Sequence, residues 1–311
     1  MRRERLLKGL DGTDPLGFLA AIGLLRVVSR HDAQAALRFD IGPMGNWIAA
    51  ITADDPNGLE DLLLEEVARF RKGHPAIDFA RKSKDRKVQD LKARPEEFRA
   101  LMRSVADDEE GAAFFAAYAT GVAVDGSGQT KPTAFHLTAG QQRFMDAVLD
   151  VLEKVTREDL VEALEGPWIG RDGVKNLRLR AASERLRALL AFDPSKEPSR
   201  TEVGAYWLAF QGLPCFPCVP FGPRVRTTGI RGRGKKESFT WPIWTVPLTY
   251  FGVRVVVGLP NLERLGALER TRYGIGEIFT AQIVRNSQGY GNFASPDPVS
   301  WSHKRARSER A

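Results

Sequence analysis

Apolar and polar positions along this chain repeat at two periods, and the two sort into helices and strands. Leu16 to Leu25 are apolar on every side, which predicts a buried helix and not an amphipathic one. Asp14 supplies a capping side chain, and Pro15 fits the first helical position, where no N–H is needed. Gly17 and Gly23 let neighbouring elements approach closely, at a propensity cost that packing has to offset. Leu37 to Ile41 and Trp47 to Ile51 read as two strands around turn residues 42–46. Helical spacing returns at Leu59, Leu62, Leu63, Val67 and Phe70. Pro95 opens a short helix with Phe98, Leu101, Met102 and Val105 inward. Asp107 to Glu110 start another, with Phe114, Phe115 and Tyr118 on its buried side.

Thr138 and Gln141 form a capping-box pattern ahead of a helix that carries Phe144, Met145, Val148, Leu149 and Leu152. Thr156 and Asp159 repeat that logic, and Thr201 caps a helix that ends near Gly212. A helix from Asn261 to Arg270 and a β-like run from Gly276 to Arg285 follow. The expected fold class is α+β, helix-rich with a small, mainly antiparallel sheet, in one large or two closely packed lobes. Divided, it is a helix-rich N-terminal lobe over 1–165, a basic connection over 166–200, a C-terminal α+β lobe over 201–294 and a mobile basic tail over 295–311. A single unit fits the pattern equally.

Composition adds limits. The chain has 311 residues, 43% hydrophobic and 27% charged, as in a soluble globular protein. Leu16 to Leu25 covers about half of a membrane span, and no secretory pattern follows Met1, so the expected compartment is cytoplasmic. The formal charge of +7 favours acidic partners.

Chemistry is sparse. Cys215 and Cys218 form a lone C-x-x-C pair, with no second pair and no histidine at ligand spacing. Prolines follow them instead of a helix, so they read as small buried hydrophobes. No nucleophile elbow, zinc-protease motif, phosphate loop or carboxylate cluster is present. Asp11-Gly12 lacks the further glycine and lysine of an anion nest. His136 is the best isolated candidate for acid–base work, against a structural role. The expectation is no enzyme, no cofactor and no metal.

The cations carry more. Arg224, Arg226, Arg231, Arg233, Lys235 and Lys236 face one acid, Glu237, in a stretch spaced by Gly229, Gly232 and Gly234. Phe239, Trp241 and Trp244 follow directly. Cations beside flat rings can hold a nucleic acid strand without reading it. A solvated hairpin tip is the other reading of the loop, and the core is the other place for both tryptophans. A second basic cluster holds Arg81, Lys82 and Lys84, either as a phosphate-contacting arm or as a solvated surface.

Three blocks carry a resemblance. Leu10 to Arg26, Lys131 to Gln142, and Gly204 through Thr227-Thr-Gly to Trp244 resemble proteins encoded in type I-G (formerly I-U) CRISPR–Cas loci. The likeness is strongest to the accessory family described as an extension of the helicase–nuclease. It implies a non-catalytic accessory or effector subunit in antiviral defence, working with guide RNA, target DNA, other effector subunits and the helicase–nuclease, and away from membranes. In such systems base pairing supplies the specificity, so a basic subunit holds backbone. Cys215, Cys218 and the basic segment 69–103 depart from the blocks. A protein–protein adaptor that docks the helicase–nuclease, its charge incidental, is the alternative.

Overall fold

A computed structural model describes residues 2–81, 90–139, 142–181, 200–287 and 289–299. The fold is α+β, with ten helices among the described residues and small antiparallel sheets. β1 (Arg3–Asp11), β2 (Ala36–Ile41) and β3 (Trp47–Ala53) form the first sheet, with β3 in the middle. β1 was not expected. Its charged start hides the inward Leu7 and Leu10, and Arg5 is held by Glu60 at 2.6 Å and Glu165 at 2.7 Å.

Between β1 and β2 runs α1 (Pro15–Ser29), buried along nearly its whole length as its apolar circumference requires. Asp14 Oδ1 accepts from Leu16 N at 2.8 Å and caps it. α2 (Leu59–Lys72), the short α3 (Pro75–Asp78), α4 (Pro95–Ser104) and α5 (Glu109–Tyr118) follow. The hairpin β4 (Ala119–Val124) and β5 (Thr130–Pro132) leads to α6 (Phe144–Lys154) and α7 (Arg157–Glu165). Thr156 and Asp159 do form their capping box.

Two expected caps are not used. Arg143 occupies the N-cap of α6, and Thr138 is buried upstream of it. α8 (Val203–Gly212) starts after Glu202, while Thr201 Oγ1 donates to Val174 O at 2.7 Å. The expected helix over 261–270 is broken into a single tight turn, Leu262–Arg264, and a later helix.

α8 lies against α1, and both are buried all round. Glycine permits the approach. A Cβ on Gly23 would sit 1.7 Å from Leu208 O, and one on Gly212 would sit 2.4 Å from Leu19 O. One apolar cluster runs from Leu7 to Phe293 and draws on both expected lobes. It includes Leu177 and Leu179 from the expected connection.

The hairpin β6 (Cys218–Phe221) and β7 (Arg224–Thr227) comes next. β8 (Ile230–Arg231) pairs with β9 (Ser238–Trp244), which leads into β10 (Leu248–Thr249), α9 (Tyr250–Val257) and α10 (Ala267–Arg272). β10 adds to the first sheet beside β2. β11 (Ile275–Arg285) pairs with β9 and with β12 (Gly291–Phe293), so β9 is interior to the second sheet. β13 (Asp297–Pro298) also pairs with β11, so the stretch read as tail begins as structure. The rest of that tail, 300–311, lies outside the described residues.

Candidate nucleic-acid interface

The hairpin β6–β7, the segment after β5 and the turn after α9 enclose a groove of about 1030 Å³. Thr227 fastens the first two together, because its hydroxyl accepts from Ala134 N at 2.9 Å. The two-residue period of β7 turns Thr227 inward and leaves Arg224 and Arg226 exposed on one face. Gly229, Gly232 and Gly234 all have positive φ (78°, 72° and 55°), so the basic stretch turns sharply where its glycines fall.

Eight Lys and Arg side chains line the groove against three carboxylates, those of Asp90, Asp125 and Glu237. The cations differ in freedom. Lys131, Arg224, Arg226 and Arg233 are exposed and pair with no acid among the described residues. Arg226 lies over the Phe221 ring, 4.1 Å from its centre. Arg231 donates to Leu259 O at 3.1 Å and meets Glu263 at 3.5 Å. Arg285 donates to His136 O at 3.3 Å. Lys92 lies 3.9 Å from Asp125.

Several residues singled out in the sequence lie elsewhere. Trp241 and Trp244 have no exposed surface. Their indole N–H groups donate to Gly12 O at 2.9 Å and Leu37 O at 2.7 Å, and Phe18 lies 5.9 Å from each ring. They are core, with no face for a base. Arg81 donates to Phe70 O at 2.7 Å and Arg71 O at 3.0 Å, so it caps the end of α2 and pairs with Asp78. Lys82 and Lys84 fall outside the described residues. Lys235 and Lys236 are exposed in a tight turn but do not line the groove. Lys92, Lys131, Arg143 and Arg285 were not anticipated, because they come from four distant parts of the chain.

His136 and Thr138 lie low in the same groove. Burial, then the charges of Lys92 and Arg285, push the His136 imidazole down to about 4, so it is neutral near pH 7. No group of three metal-ligating side chains occurs among the described residues. Cys215 and Cys218 are free and buried, and burial pushes the Cys215 thiol up to about 12. A thiol held so high makes little thiolate, whether for attack or for a metal. No helix among the described residues is long and apolar enough to cross a membrane.

Comparison with family models, curated proteins and solved structures finds no match.

Proposed function

We propose that this chain is a non-catalytic, cytoplasmic subunit of a type I-G CRISPR–Cas defence system, accessory or effector, that holds the backbone of guide RNA or target DNA in its basic groove. Two things support this reading: the three sequence blocks, and the excess of cations over carboxylates in one groove. The groove carries it. Four exposed cations that pair with no acid suit phosphates and read no sequence.

The salt dependence is the test. Four phosphate contacts give a log-affinity against log-salt slope of about −2.8 on a single strand and about −3.6 on a duplex. Single-strand affinity then falls roughly 50-fold between about 50 and 200 mM salt. Replacing Lys131, Arg224, Arg226 and Arg233 by alanine removes most of the slope and leaves the melting temperature in place. Absence of binding to RNA, single-stranded DNA or duplex at low salt refutes the reading. So does a slope that the fourfold variant does not change.

One observation favours the adaptor reading. Phe251 and Val255, one turn apart on α9, are 74% and 49% exposed. Co-purification with the helicase–nuclease without nucleic acid, lost on Phe251→Glu, supports docking through that face. Failure to associate under any condition counts against it.

A further inference from the structure

His136 and Thr138 stand two residues apart on the segment after β5, and both line the groove. Both residues are nearly closed off, at 9% and 2% exposed. Yet His136 Nε2 and Thr138 Oγ1 have no hydrogen-bond partner among the described residues. Buried polar atoms are almost always paired, so two unpaired ones in one groove call for a reason. The His136 ring lies nearly parallel to Phe144, 13° between planes and 5.8 Å between centres, so its edge is held in place.

Chemistry narrows the partner. A neutral imidazole cannot serve as a counter-charge for phosphate, and neither can a hydroxyl. Both suit an uncharged group that offers donors and acceptors side by side. The exposed cations around them suit phosphates. An uncharged polar edge flanked by phosphates and able to enter a pocket is a nucleotide in a single strand, since a duplex keeps its bases stacked and their Watson–Crick edges paired.

We propose that the groove takes one unpaired nucleotide of the bound strand, its base edge hydrogen-bonded to His136 Nε2 and Thr138 Oγ1 and its flanking phosphates held by Arg224 and Arg226. This rests on the backbone reading of the groove. Both atoms are buried in residues that line the groove, so the base reaches them only as the wall moves aside. The contact adds to base pairing elsewhere in the assembly and does not replace it.

The test compares a labelled single-stranded DNA 12-mer with the same strand built from abasic sugars, by fluorescence anisotropy over a salt series. The wild type should bind the abasic strand about tenfold more weakly, at an unchanged salt slope. Thr138→Val should narrow that difference without lowering the melting temperature, because it removes a buried hydroxyl that has no partner among the described residues. His136→Ala should narrow it further. Arg224→Ala with Arg226→Ala should instead lower the slope for both strands. Equal binding of the two strands by the wild type, with a normal salt slope, overturns this inference and leaves the backbone reading standing. A difference that persists at full size in a folded Thr138→Val, His136→Ala double variant also overturns it. No binding to either strand overturns both.

Discussion

Replacing Glu110 with glutamine unbalances a buried charge cluster between α1, α2, α5 and α8. The Glu110 carboxylate accepts from Arg26 Nη2 at 2.5 Å, Arg69 Nη2 at 2.9 Å and His74 Nε2 at 3.0 Å. His74 Nδ1 accepts from Ala76 N, so the ring proton sits on Nε2, where Glu110 receives it. Arg26 is 5% exposed, donates also to Gln211 Oε1 at 2.6 Å, and lies 4.7 Å from the Phe114 ring centre. Glu66 faces Arg30 and Arg69, which leaves Glu110 as the carboxylate paired with Arg26. Glutamine keeps the shape and one acceptor oxygen but no charge. Removing one partner of a buried ion pair costs about 3–5 kcal/mol. The Glu110 side chain keeps an edge in solvent, 18% exposed, which puts its cost at the low end, about 3 kcal/mol. At roughly 2 °C per kcal/mol for a chain of this size, the melting temperature drops by about 6 °C.

The effect has a pH signature. Burial raises the Glu110 pKa, but the bonds from His74 and Arg69 and the charge of Arg26 outweigh it and hold the carboxyl well below the usual 4.5. An acid depressed on folding adds stability above its unfolded pKa and loses it as pH falls through the folded one. The difference between wild type and Glu110→Gln is therefore full at neutral pH. It closes as pH drops below 4.5. Urea unfolding followed by circular dichroism reads both. A difference under about 1 kcal/mol at neutral pH, or one unchanged well below 4.5, would refute the argument that this charge holds Arg26.

Trp241→Phe should cost about 1–2 kcal/mol through the lost bond to Gly12 O and lost volume, with nucleic-acid affinity and salt slope unchanged; a folded variant that binds more weakly returns the ring to the interface. Gly23→Ala should destabilise by at least about 3 kcal/mol, because its Cβ meets Leu208 O; an unchanged melting temperature refutes the close approach of α1 and α8. Burial raises the Asp14 carboxyl from 3.8 to about 6. The folded chain therefore holds a proton that the unfolded chain has released, and stability falls as pH rises through that window. Asp14→Asn should gain on the wild type across it in urea midpoint, and parallel profiles would show that burial does not burden this cap.

Local patterns were legible where local chemistry decides. α1 combines a capping Asp14 with an unbroken apolar run, and both survive folding. β2 and β3 follow from alternation around a turn. The three threonine caps show where such reading stops. Thr156 finds Asp159 three residues on. Thr201 carries the same hydroxyl beside a helix, yet it donates to Val174 O and accepts from Asn176 Nδ2 at 2.9 Å, contacts 25 or more residues away. Thr138 is drawn into the groove floor, and α6 starts without it. β1 was missed for a related reason: the partners that hold Arg5, Glu60 and Glu165, lie far along the chain.

The site was half visible. Arg224 and Arg226 share a face because β7 has period two, which alternation encodes. Arg231 belongs to the same run of cations, but Glu263 and Leu259 O engage it. Nothing in the sequence marks Lys131 and Arg285 as neighbours of that run. The tryptophans carry the sharper lesson. From Phe239 to Trp244 every residue of β9 is buried, with no polar alternation, as befits an interior strand covered by α1. The missing alternation was the signal for core, and it outweighed the nearness of cations. Between Lys236 and Trp241 the chain passes from an exposed turn to the middle of a sheet, so five positions of separation conceal opposite environments. The groove presents charge and polar atoms unpaired among the described residues, not those rings.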